Sequence, residues 1–86
     1  MPAGSGLTSD SLSESGKAVA AQVSDEVSGW IQRKAKKYET AGKFREAAVS
    51  QAASRVARIV YSGALTAAEG FAVMDKVRGE IDRLIQ

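Results

Sequence analysis

Neither cysteine nor histidine occurs anywhere in the chain. Without cysteine there is no disulfide and no thiolate to act as nucleophile or ligand. Without histidine there is no Ser-His-Asp triad, no Cys-His pair, and none of the common zinc or haem ligand sets. Carboxylates are the only side chains left for a metal, and no cofactor is expected. Proline appears once, at position 2, so every later segment is free to be helical. No apolar run approaches the roughly 18 residues of a membrane span, so no membrane partner is expected. The first ten residues lack the basic start and apolar stretch of a secretory signal, and the expected location is the cytoplasm. Strand patterns are missing too: there is no run of alternating β-branched residues and no hairpin dipeptide.

What is present is a short chain with helical periodicity. Eighty-six residues make one domain with a modest core. Such a domain is marginally stable unless its helices pack regularly or chains associate. The hydrophobic fraction of 44% and charged fraction of 26% suit a folded chain rather than a disordered one. Residues 1–9 are rich in Gly, Ser, Pro and Ala and read as a flexible tail, leaving 10–86 as a single helical domain.

Three helices are expected. The first spans about 10–38, with Ser11 and Glu14 at capping-box spacing. Its apolar face is Val19, Val23, Val27, Trp30, Ile31, Ala35 and Tyr38. Glu39 to Lys43 reads as a break centred on Ala41 and Gly42. The second helix spans about 44–61, with a stripe of mostly small residues: Phe44, Ala47, Ala48, Ala52, Val56, Ile59 and Val60. Gly63 is placed to end it, and Thr66 with Glu69 has capping-box spacing for a third helix over about 67–85. The apolar face of that helix is read as Phe71, Met74, Val77, Ile81, Leu84 and Ile85. Asp75 or Asp82 with Arg78 would make short-range ion pairs on its outer face. The fold class is all-α, an antiparallel helical hairpin or three-helix bundle with a long first helix and a disordered N-terminal tail.

Charge is uneven along the chain. Residues 33–58 carry eight basic side chains against Glu39 and Glu46, and the flanks are net acidic. Arg33, Lys34, Lys36, Lys37, Lys43 and Arg45 therefore form a candidate anion or nucleic-acid contact, with Tyr38 and Phe44 among them. The alternative is a solvated face, or cations that complement the dipole at a helix C-terminus. A helix-turn-helix DNA reader is not expected, because the third helix would open with Ala67, Ala68, Glu69 and Gly70, poor contacts to bases or phosphates.

Catalytic patterns do not emerge. Asp25–Glu26 and Glu80/Asp82 diverge around a helix and lack the spacing of an acid–base pair. Gly4-Ser5-Gly6 is not followed by a phosphate-loop lysine. The chain is expected not to be an enzyme.

Trp30, Ala35, Tyr38, Gly42, Phe44 and Glu46-Ala47 resemble the first half of a tetratricopeptide repeat. The segment from Tyr38 to Ala47 is also similar to the turn between helix 1 and helix 2 of microtubule-interacting-and-transport domains, which are three-helix bundles that bind peptide helices. The resemblance stops at Gln51 and Ser54, no second copy follows, and repeat arrays need several units. It implies a packed helical hairpin and carries over no binding residue.

The functional expectation is a helical protein-interaction module that self-associates, in the class of adaptors, assembly factors or inhibitors of a larger complex. The candidate interface is Trp30, Phe71, Ile81, Leu84 and Ile85, because an apolar stripe running to the chain's end needs a cover. The alternative is an accessory nucleic-acid-binding protein using the basic 33–45 segment.

Overall fold

A computed structural model describes residues 12–85. The Gly/Ser stretch 1–9 and Ser11, half of the expected first capping box, lie outside the described residues. The described chain forms three helices and no strand: α1 (Glu14–Lys34), α2 (Ala41–Tyr61) and α3 (Ala67–Leu84). A 3₁₀ turn, Ala35–Lys37, continues α1. This is the all-α bundle expected, with shifted ends. The α1 helix begins at Glu14 rather than near residue 10 because Ser13 caps it, its hydroxyl accepting from the Gly16 N–H at 3.1 Å. Likewise α2 begins three residues early, because Thr40 accepts from the Lys43 N–H at 3.1 Å and draws Ala41 and Gly42 into the first turn. As a result α1 and α2 are each 21 residues long. The first helix outlasts the second only through its 3₁₀ extension.

The α2–α3 connection behaves as its residues dictate. Gly63 takes φ 89°, a conformation costly for any residue with a Cβ. Its N–H reaches the Val60 carbonyl, and the Ala64 N–H reaches the Ile59 carbonyl. These two bonds satisfy the last carbonyls of α2 in a Schellman turn. The capping box at Thr66 is complete: Thr66 Oγ1 accepts from the Glu69 N–H at 3.1 Å, and Glu69 Oε1 accepts from the Thr66 N–H at 3.4 Å. The other oxygen of Glu69 accepts from the Ser13 hydroxyl. One carboxylate thus joins the starts of α1 and α3, which run parallel with α2 antiparallel to both.

The core is narrow because much of it is alanine. Ala20, Ala48, Ala52 and Ala72 are buried with Val23, Val27 and Ile31 of α1, Phe44 and Val56 of α2, and Val73, Val77 and Ile81 of α3. Leu12, Leu65 and Ile85 close its ends. Gly70 marks the closest approach of α2 and α3, since a Cβ there would come within 2.7 Å of a Val60 methyl.

Of the expected face of α3, Val77, Ile81 and Ile85 are buried, whereas Phe71 and Leu84 are exposed and Met74 is half-buried. The buried line of this helix is Gly70, Val73, Val77 and Ile81, with Ala72 beside it. Phe71 points away, 77% exposed. Two apolar stripes lie side by side on this helix, and periodicity alone favours the one with larger residues. The close α2–α3 contact admits only the smaller. Ile81 and Ile85 are buried within their own chain, so they are core and not partner interface.

Exposed ion pairs lace the helices together. Glu26 meets Arg55 at 2.9 Å between α1 and α2, and Asp82 meets Arg45 at 3.3 Å between α3 and α2. Asp82 therefore pairs across to α2 rather than with Arg78. Surface pairs of this kind contribute at most about 1 kcal/mol each. Within α3, the hydrogen bond from Arg83 holds the Glu80 carboxyl below the usual carboxylate range. Being depressed in the folded state, this group contributes stability above its unfolded pKa, and the contribution fades as pH falls through the carboxylate range.

Two pairs of substitutions test this packing by urea unfolding. Gly79 lies in α3 with open space at its Cβ position, so Gly79→Ala gains about 0.5–1 kcal/mol from helix propensity. Gly70→Ala meets the stiff Val60 side chain and loses about 1 kcal/mol net, overpacking outweighing propensity. Ile81→Ala costs about 2–5 kcal/mol through the cavity it leaves. Phe71→Ala changes monomer stability by about 0.5 kcal/mol or less, as a surface position does.

Candidate interaction surfaces

The first surface is an apolar groove between the C-terminal half of α2 and the N-terminal half of α3. Its floor is Val56, Val60 and Gly70, where the helices touch. Ala53 and Ala57 form the α2 wall, and Met74 the α3 wall. Small residues on α2 leave the recess open, with a volume of about 360 Å³. Two aromatic rings stand at its edges: Phe71, 77% exposed, and Tyr61, 97% exposed. No carboxylate, amine or guanidinium lines it. It can exclude water from an apolar guest, and the Tyr61 hydroxyl is the one ionisable group among its lining residues. Burying a ring of this size gains about 1.5–3 kcal/mol, which the isolated chain forgoes.

Of the expected interface residues, the structure brings only Phe71 to this groove. Leu84, 48% exposed, sits at the opposite end of α3. Trp30 is partly buried and serves the chain's own packing. Its ring lies 5.8 Å from Phe44 and 6.0 Å from Tyr38, and Tyr38 stacks on Phe44 at 5.2 Å. Tyr61 was missed. It ends α2 just before the turn, and its one-residue offset from Val60 was the available signal.

The second surface is the end of the bundle where α1 passes into α2. Arg33 and Lys34 lie in the last turn of α1, Lys36 and Lys37 in the 3₁₀ turn, and Lys43 in the first turn of α2. Among the described residues none of these five forms an ion pair. All are exposed except Lys34, which is half-buried. Arg45 leaves the expected group. Its Nε lies 3.3 Å from Asp82 without hydrogen-bond alignment, and its Nη2 donates to the Ile85 carbonyl at 3.3 Å. It ties α2 to the end of α3, with its side chain 41% exposed. Beside the cations is a recess of about 290 Å³ reached by Tyr38, Thr40 and Leu84.

Helix dipoles account for part of this charge. Arg33 and Lys34 sit at the negative C-terminus of α1, where cations are favoured. Lys43 is at the positive N-terminus of α2, where they are not, and that first turn has no acidic residue. Dipole complementation therefore leaves Lys43 unexplained.

Among the described residues, no cluster of three or more acidic side chains is placed to hold a metal ion. No described helix is long and apolar enough to cross a membrane. The chain matches no family model, no curated protein and no solved structure. The tetratricopeptide-like and microtubule-interacting-like features of residues 30–47 accordingly rest on helical-hairpin packing alone.

Proposed function

We propose that this chain is a non-enzymatic helical interaction module that pairs with a second copy of itself through the α2–α3 groove. The observation that carries this reading is the pair of exposed rings, Tyr61 and Phe71, at the edges of an apolar recess. A monomer gains nothing from holding two aromatic rings in water. Contiguous exposed apolar surface of this kind marks a contact with another chain.

Knob and recess on one face favour a like partner. In a two-fold interface the same patch serves both subunits, so each copy's Phe71 can enter the other's recess. The adjoining charges agree. Asp75 and Arg78 continue the line of Phe71 along α3, and a two-fold antiparallel approach sets each carboxylate near the opposing guanidinium. A patch of one sign would repel its own copy; this one does not. Pairing would make the chain a building block or adaptor whose remaining surfaces are presented twice.

Light scattering coupled to size exclusion tests the reading. The chain is expected at twice its monomer mass, at low and at high salt, since apolar burial is little screened. Phe71→Glu is expected at the monomer mass, still cooperatively folded, with a thermal midpoint that does not change with protein concentration. A monomer at every concentration up to about 1 mM would overturn the proposal, because that corresponds to less than about 4 kcal/mol of association.

A further inference from the structure

We infer that the α1–α2 end of the bundle is a contact surface for the phosphate backbone of a nucleic-acid duplex, formed by Arg33, Lys34, Lys36, Lys37 and Lys43. This goes beyond self-pairing and uses the opposite end of the molecule.

Three observations carry the argument. First, the cations are unpaired. Elsewhere Arg45 pairs with Asp82, Arg55 with Glu26 and Arg83 with Glu80, while Arg58 and Arg78 stand singly and apart on α2 and α3. The five cations at this end have none, and Glu39 is the only carboxylate within their stretch. Second, the chain bends so as to gather them. The 3₁₀ turn follows the last turn of α1 without a gap, and α2 starts only four residues after Lys37. Cations from the end of one helix, the turn and the start of the next therefore share one end of the bundle. Third, that concentration is unfavourable for the free chain. Like charges in one place repel, and Lys43 opposes the dipole of its own helix. A polyanion relieves both.

The type of polyanion follows from what surrounds the charges. Binding a single strand relies on exposed aromatic faces for base stacking. Here Trp30, Tyr38 and Phe44 pack on one another, and Tyr38 already stacks on Phe44. These rings are largely taken up in packing on one another, and the exposed groups at this end that can meet regularly spaced phosphates are the cations. A lipid surface is held firmly when charge is joined by apolar insertion. Among the described residues, Leu84, half exposed, is the only large apolar side chain offered at this end. Binding carried by charge alone is independent of sequence and steeply dependent on salt.

The experiment is fluorescence anisotropy with a labelled 20-base-pair DNA duplex of arbitrary sequence, between 50 and 300 mM NaCl. The wild-type chain is expected to bind at low salt, with log K falling against log salt with a slope of about −4, the value for four to five phosphate contacts. Lys36→Glu with Lys37→Glu is expected to weaken binding at least tenfold, with an unchanged thermal midpoint. Arg45→Gln, which removes a cation already paired with Asp82, is expected to leave the slope unchanged. Phe71→Glu is expected still to bind, so failure of self-pairing would not be confused with failure here. No binding at 50 mM salt would overturn the inference, as would binding indifferent to charge reversal at Lys36 and Lys37. Equal or tighter binding to phosphatidylserine vesicles or to polyglutamate would overturn it in favour of a lipid or acidic-protein partner.

Discussion

The spacing between the helices is set by small side chains, and most of the surface follows from that. Ala20, Ala48 and Ala52 are wholly enclosed, and Gly70 lies where even a methyl group would collide with Val60. Helices this close leave little interior volume. Valine and isoleucine fill what there is, and the larger apolar residues must find places elsewhere. Trp30, Tyr38 and Phe44 pack together under the α1–α2 connection. Phe71 and Tyr61 have no such shelter and remain outside. The apolar groove is thus a by-product of tight α2–α3 packing, and the same tightness keeps it shallow.

A second layer of order comes from the helix ends. Ser13, Thr40 and Thr66 each supply an oxygen to a backbone N–H that would otherwise lack a partner. Glu69 then joins two of these caps across the bundle. Carboxylates near the starts of α1 and α3 and cations at the end of α1 agree with the helix dipoles. Lys43 does not agree: it sits at the start of α2, where the helix dipole disfavours a cation.

The sequence made the helices legible because local rules govern them. Thr66, Glu69 and Gly63 were read correctly, since a capping box and a left-handed glycine depend only on near neighbours. The true first cap, Ser13, was hidden by Ser11, an equally good candidate two residues earlier. The Thr40 cap is masked in the sequence by Gly42, whose helix-breaking tendency argues for a later start. Orientation about each helix axis was harder. Phe71 and Val73 both lie on apolar stripes, and the choice between them depends on Gly70 and Val60, ten residues apart and on different helices. The basic end was visible as composition. The removal of Arg45 from it was not, because its partners Asp82 and Ile85 lie about forty residues away in the chain.

The aromatic cluster has an optical consequence. Trp30 is the only tryptophan, and Tyr38 lies 6.0 Å from its ring, well within range for energy transfer. Its emission therefore reports on the junction of α1, the connection and α2. Phe44, which touches it, is about 20 Å along α2 from Ala57 in the groove, at 1.5 Å per residue. Intrinsic fluorescence thus watches one end of this molecule and is nearly blind to the other, so a ligand at either end announces itself by whether the tryptophan responds.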